Sequence, residues 1–300
     1  MNIPFQINTK RRLSRTIRMP KKRVNRSAWG TFSLFALLTV FGAFMVLPLV
    51  YAINNAFKPL DEIFIFPPTL FVRNPTMNNF VDLFNLLGNS WVPFSRYIFN
   101  TVFITGTGIV GHVLFASAAA YPLAKHHFPG KKILFTIVVL SLMFTPAVTA
   151  MPNYMIMSWL GLIDTYWAVI IPAFAYSLGL YLMKQFMEQI PDVLLEAAKI
   201  DGASEYRIFW SIVMPNVKPA WLTLIILLFQ ILWGSDGNGF IYSEQLKSLH
   251  FAAGQVVAGG IARSGAAAAV ALILMSVPIT LFVFSQSRII ETMATSGMKD

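Results

Sequence analysis

The chain alternates long apolar runs with short polar connections. Crossing the hydrocarbon core of a bilayer takes about 20 mostly apolar residues in a helix. Six stretches fit, with ends placed to within a few residues: 30–53, 97–121, 133–150, 166–183, 219–234 and 265–285. None of them contains Asp, Glu, Lys or Arg. The first follows a basic tail, as a signal peptide would. It outlasts the usual apolar core of about 7–15 residues, however, and no clear small-residue cleavage site follows. The pattern predicts an all-α polytopic membrane protein with six transmembrane helices.

Two polar excursions interrupt the pattern. Segment 54–96 carries Pro59, Pro67, Pro68, Pro75 and Pro93 among aromatics, which predicts an ordered lid or docking surface. Segment 184–218 holds Glu188, Asp192, Glu196, Asp201 and Glu205, and only the N-terminal tail is more charged.

Composition agrees with the spans. Only 12% of residues are charged and 56% are hydrophobic, against about 25% charged in ordinary soluble domains. The net charge of +10 does not point to nucleic acid, because nine of the 23 Lys and Arg lie between Lys10 and Arg26, before the first span. Such a run reads as an anchor on anionic lipid. With the N-terminus inside, 18 Lys and Arg fall on the inner side and five on the outer, so both termini are expected in the cytoplasm. The predicted organisation is a basic tail at 1–29, a transmembrane domain at 30–287 and a C-terminal tail at 288–300.

Candidate chemistry is sparse. The chain has no Cys, which removes disulfides, thiolate metal sites and cysteine nucleophiles. Ion-coupled transport usually requires ionisable groups within the bilayer, and His112 is the sole titratable candidate for that role. It reads as a neutral imidazole bonded to a neighbouring helix. The sequence Pro129-Gly130-Lys131-Lys132 lacks the glycine and hydroxyl of a phosphate loop. At Ser235 to Gly239 a calcium-loop start fails at Phe240 and Ile241, leaving a turn. His126 and His127 are adjacent and cannot share one metal from a helix. The patterns Gly106 to Gly111, Ala116 to Ala120 and Gly259 to Ala269 read as close packing. No catalytic centre, metal site or bound cofactor is expected.

The inner segment is the most specified part of the chain. Pro191 and Asp192 start a helix, and Val193, Leu194, Ala197, Ala198 and Ile200 supply its apolar side. Glu196 and Lys199 are spaced to pair. Gly202 sits where a left-handed residue ends a helix, and Ser204 can cap a second one running to Pro215. A solvated linker is one reading of this segment. The order specified at every position favours the other, a short helix that docks a partner.

This segment resembles a known family, the inner-membrane permease subunits of binding-protein-dependent ABC importers. Their signature is Glu-Ala-Ala, three residues, Gly, nine residues, then Ile-x-Leu-Pro. It is matched here by Glu196, Ala197, Ala198, Gly202, Ile212 and Pro215, with Met214 in place of Leu. Asn100-Thr101, Ala119 to Lys125, Phe128 to Lys131, Leu160 to Tyr166 and the tail from Thr295 to Lys299 are similar to the carbohydrate branch, near the maltose-type permeases. After Trp233 the run Gly234 to Gly239 departs from the family pattern.

The resemblance implies a type I ABC importer permease fold in a bacterial inner membrane. It also implies a second homologous permease, two ATP-binding subunits that bind and hydrolyse ATP with Mg, and a solute-binding protein outside. Glu196, Ala197, Ala198, Asp201 and Gly202 would form the coupling helix seated on an ATPase, and the tail after Ser296 would touch the ATPase pair. Charge-free spans suit a neutral sugar or oligosaccharide held by aromatic and amide groups, for which Asn100, Tyr176, Gln230 and Trp233 are candidates. Competing readings are an ABC permease for another solute, an ATP-independent transporter, and a membrane scaffold that binds an ATPase without moving solute.

Overall fold

The computed structural model describes residues 28–88, 91–237 and 239–296, with side chains from Trp29 to Ser285. The basic run from Lys10 to Arg26, Asn238 and the tail after Ser296 lie outside the described residues. Among the described residues every regular element is helical. The chain divides into two compact units, 1–49 and 50–300, and the division falls inside the first helix.

Helix α1 covers Ala28–Phe57. In the first unit its Phe32, Phe35, Phe41, Phe44 and Met45 are all exposed, and a helix apolar on every side belongs in lipid.

The second unit starts with the predicted ordered excursion. It contains α2 (Leu60–Ile63) and α3 (Asn78–Gly88). Buried polar groups fix the loop between them. The Lys58 ammonium donates to the Thr69 carbonyl. The Glu62 carboxylate accepts from the amides of Arg73 at 2.8 Å and Asn74 at 3.3 Å. The Asn79 amide donates to the carbonyls of Ala56 at 2.9 Å and Lys58 at 2.7 Å. Buried polar atoms need partners, and these partners order the segment.

Helix α4 (Phe94–Lys125) is the central strut of this unit. After it come α5 (Lys131–Ser141), α6 (Pro146–Trp159), α7 (Trp167–Phe174) and α8 (Ser177–Glu188). The polar segment forms α9 (Asp192–Ile200), α10 (Glu205–Ile208), a π-turn at Phe209–Val213 and α11 (Met214–Asn216). Then follow α12 (Lys218–Trp233), α13 (Leu249–Ala258) and α14 (Ser264–Ser296). Helix α4 packs on α7, α8, α12 and α13, and α14 packs on α3, α12 and α13. Ala116, Ala120, Ala266 and Ala269 are buried, as close packing requires.

Among the described residues four stretches are individually long and apolar enough to cross a membrane: Trp29–Phe57, Phe94–Lys125, Trp167–Glu188 and Ile261–Ser285. Six result if two bent pairs each count as one span. The predicted span at 133–150 is such a pair, bent by 113° between α5 and α6. Thr145 is extended there (φ −75°, ψ 153°) ahead of Pro146, the first residue of α6, because proline disfavours the helical region for its predecessor. The predicted span at 219–234 coincides with α12, which meets the preceding helical segment at 73°.

His112 is fully buried on α4, and its Nδ1 lies 3.0 Å from the Phe174 carbonyl. It therefore bonds to a neighbouring helix, as its sequence context predicted. Gly179 on α8 makes room for the ring: a Cβ there would lie 1.8 Å from Nε2.

Candidate functional site

Glu196, Ala197, Ala198 and Gly202 of the signature lie on α9 and the turn after it, at the C-terminal end of α4, while Ile212 and Pro215 fall in the π-turn and α11. Pro191 is extended (φ −60°, ψ 131°) and precedes Asp192, the first helical residue. Lys125, the last residue of α4, reaches this start with a nearly buried side chain. Its ammonium donates to the carbonyls of Ile190 and Glu188 and lies 2.7 Å from the Asp192 carboxylate. That ammonium holds the Asp192 carboxyl below the usual aspartate range.

Leu195 and Ala198, one helical turn apart, are the buried residues of α9. They join a core with Tyr121, Met183, Met187 and Ile208. This corrects the predicted apolar side in all but Ala198. Val193, Leu194 and Ile200 are 72%, 49% and 86% exposed, and Ala197 is exposed beside Glu196. The outward surface of α9 thus mixes apolar and acidic groups.

The predicted Glu196–Lys199 pair gives way to a longer one. Lys199 crosses the turn to Glu205 at 2.6 Å. Glu205 also accepts from the Tyr121 hydroxyl at 2.8 Å, and His126 Nε2 stands 3.7 Å away. Lys199 and Tyr121 hold the Glu205 carboxyl below its ordinary value. The exchange is physical: a partner on α10, already fixed by Tyr121, costs less ordering than a free glutamate on an exposed face.

The turn matches its local chemistry. Gly202 has φ +78°, a region that is costly for residues with a Cβ. The amides of Asp201, Gly202 and Ala203 bond to the carbonyls of Ala197, Lys199 and Ala198 at 2.9–3.0 Å. Ser204 Oγ accepts from the Arg207 amide at 3.3 Å and caps α10. Asp201 and Gly202 are exposed. The outcome is a short ridge that presents Glu196, Ala197, Asp201 and Gly202 outward. Lys125 and Tyr121 tie it to a 32-residue helix.

The four residues expected on a substrate path do not come together as one site. Asn100 is fully buried, with its amide donating to the carbonyls of Gln245 at 2.9 Å and Lys247 at 2.8 Å. Its Oδ1 accepts from the Tyr166 hydroxyl at 2.7 Å. Trp233 is buried, stacks on Phe229 with ring centroids 5.3 Å apart, and donates from Nε1 to the Leu274 carbonyl at 3.2 Å. Tyr176 is half-buried, edge-on to His112 at 5.9 Å. Gln230 is exposed.

Sequence reasoning missed the lock at the opposite end of α4. Asp164 is non-glycine with φ +63°. It accepts from the amides of Tyr242 at 2.9 Å and Ser243 at 2.8 Å, and from the Ser243 hydroxyl. The Ser243 hydroxyl, the largest influence, holds the Asp164 carboxyl below its usual value. Beside it, Tyr97 donates to Glu244 at 2.6 Å, and the Leu249 amide donates to Thr101 Oγ1 at 2.7 Å. The signal was the isolated acid after Gly161-Leu162-Ile163, at the edge of an apolar span.

With this geometry in place, comparison with known proteins is informative. The model of the family described as binding-protein-dependent transport system inner membrane component matches residues 112–293. The protein LplC of Bacillus subtilis is 34% identical over 206 residues, which cover 67% of this chain and 66% of that protein. The arabinooligosaccharides transport system permease protein AraQ of Halalkalibacterium halodurans is 33% identical, over 64% of this chain and 69% of its own. The sn-glycerol-3-phosphate transport system permease protein UgpE of Yersinia enterocolitica is 29% identical over 66% of this chain and 71% of its own. The match thus spans about two thirds of the length of these curated relatives. A chain of a bacterial ABC transporter that imports the acidic polysaccharide alginate superposes with a TM-score of 0.75 at 20% identity. That superposition covers 86% of this chain and 95% of the other and shows a shared fold.

Proposed function

The chain belongs to the inner membrane components of binding-protein-dependent transport systems, and from this membership we propose that it forms half of the path by which a sugar or oligosaccharide enters the cell. In this reading it is the non-catalytic, multi-pass subunit of an ATP-driven importer. ATP and Mg are handled by two partner ATPase subunits. A second homologous permease completes the path, and a solute-binding protein delivers the cargo from outside. The lysine and arginine bias supports an orientation with α9 and both termini in the cytoplasm.

One observation carries the coupling role. The surface bearing Glu196, Ala197, Asp201 and Gly202 is open to a partner, while Lys125 and Tyr121 tie its back to α4. A push on α9 would therefore move α4 and the helices packed on it. Asn100 and Trp233 have their polar groups engaged within the chain. We therefore assign direct cargo contact to Tyr176 and Gln230, and a scaffold role to the other two. The relative named for arabinooligosaccharides supports a saccharide cargo. The relative named for sn-glycerol-3-phosphate supports a second reading, a small phosphorylated polyol.

Uptake by proteoliposomes holding the complete importer, tested with oligosaccharides and phosphorylated polyols, decides between these cargoes. Accumulation by this chain alone, without an ATPase, would overturn both.

A further inference from the structure

One cationic feature is left unused by the transport reading. At the head of α5 a cavity of about 570 Å³ is lined by the run from His127 to Ile133, which includes Lys131 and Lys132. Lys132 is exposed. Lys131 spends its ammonium on two carbonyls at the end of α4, His126 at 3.0 Å and Ala124 at 3.4 Å. Those bonds leave its positive charge uncompensated. Among the described residues no carboxylate lies in ion-pair contact with Lys131, Lys132 or His127. The acid nearest in effect, Asp192, is already taken by Lys125 at 2.7 Å.

An apolar stripe leaves the cavity along α5. Ile133, Ile137 and Leu140 follow the i, i+4, i+7 spacing of one helix face and are 68%, 57% and 51% exposed. Helix α5 buries none of its residues within the chain. A cationic hollow that continues into an apolar stripe is complementary to an amphiphile with an anionic head. A free anion would have no use for the stripe, and an apolar protein face would have no use for the cations.

We propose that this cavity binds the phosphate headgroup of an anionic phospholipid, whose acyl chains lie along Ile133, Ile137 and Leu140. The inference rests on the membrane orientation proposed above, which puts the head of α5 at the inner leaflet. There, clusters of basic residues attract anionic lipid. The site also adjoins the anchor of α9, since His126 precedes the cavity and faces Glu205. A bound headgroup would thus stand beside the junction between α4 and the docking segment.

The test uses the whole importer, delipidated in detergent and offered phosphatidylglycerol and phosphatidylcholine in equal amounts, with retained lipid counted by native mass spectrometry. The wild type should retain phosphatidylglycerol preferentially. Lys132→Gln, at an exposed position, should lower that preference about fivefold. Ile137→Ser should weaken retention of both lipids by removing the acyl contact. Inorganic phosphate at millimolar concentration should leave bound phosphatidylglycerol in place. Unchanged preference in Lys132→Gln would overturn the proposal. So would displacement by inorganic phosphate, which would mark a free-anion site, or crosslinking of Ile137→Cys to the companion permease, which would mark a protein interface. Lipid retention is read without transport, so failure here leaves the importer reading standing.

Discussion

Lys125 and Asp192 face each other at 2.7 Å, the last residue of α4 against the first of α9. Around this pair the ammonium also takes the carbonyls of Glu188 and Ile190, at and just beyond the end of α8, where helical carbonyls are left open. One side chain therefore joins three helical ends. The ammonium, with a side chain only 6% exposed, is fixed by the two carbonyls as well as by the 74% exposed carboxylate, and through it the three ends would move together.

Replacing Lys125 by Met should loosen α9 while leaving the spans inserted. The part-buried Ile190 carbonyl loses its donor, a cost of about 1–3 kcal/mol, so uptake should fall about fivefold or more while membrane content stays normal. Asp192→Asn should be milder, because the carbonyl bonds remain. Uptake and immunoblotting of the membrane fraction check both. If Lys125→Met transports normally, the tie is not part of coupling.

The same pair sets a pH dependence. The Asp192 carboxyl is held low by Lys125, so its contribution is complete above the ordinary aspartate value near ~3.9. It disappears as pH falls through the lowered value in the folded chain. Association with the ATPase should therefore be constant from about pH 5 to 8 and weaken only in stronger acid. Co-purification from about pH 8 down to about pH 3 measures it.

Gly202→Val should abolish uptake without preventing insertion. The position has φ +78°, and a branched side chain there costs at least about 1–2 kcal/mol. Space is not the issue, since a Cβ at Gly202 would meet nothing within 4 Å. Gly202→Asn, which tolerates the left-handed region better, should keep more transport than Val. Equal activity in all three would show that the turn is not a constraint.

These residues also mark what could be read in advance. The limits of α9, the left-handed Gly202 and the Ser204 cap follow from chemistry within a few positions of each residue, and the structure has all three. The buried side of α9 was misread because its choice is tertiary. Leu195 and Ala198 turn inward toward a core built from α4 and α8, while Val193 and Ile200, equally apolar, remain outside. Lys199 likewise left Glu196 for Glu205, which Tyr121 had fixed from 84 positions away in sequence. The break before Pro146 was open to a rule about proline, but apolarity continues across it and concealed the bend. The Asp164 lock pairs that acid with a hydroxyl and two backbone amides 78 and 79 positions away, partners that only the tertiary fold brings to it.

Gly179 and His112 supply the last prediction. A methyl group added at Gly179 would lie 1.8 Å from His112 Nε2, far inside contact distance, so Gly179→Ala must displace the ring or separate α8 from α4. Overpacking of this kind costs about 1–3 kcal/mol. Displacing the ring also threatens its bond to the Phe174 carbonyl at 3.0 Å. Gly179→Ala should therefore lower the melting temperature of the purified importer. Removing the ring in His112→Ala should be destabilising by itself, because it leaves a cavity. Combined, the two changes should destabilise less than their separate effects would predict, since the methyl group enters space that the imidazole has vacated. A thermal melt of the wild type, both single variants and the double variant measures the coupling. Additive losses would mean that the ring and the glycine do not share this space.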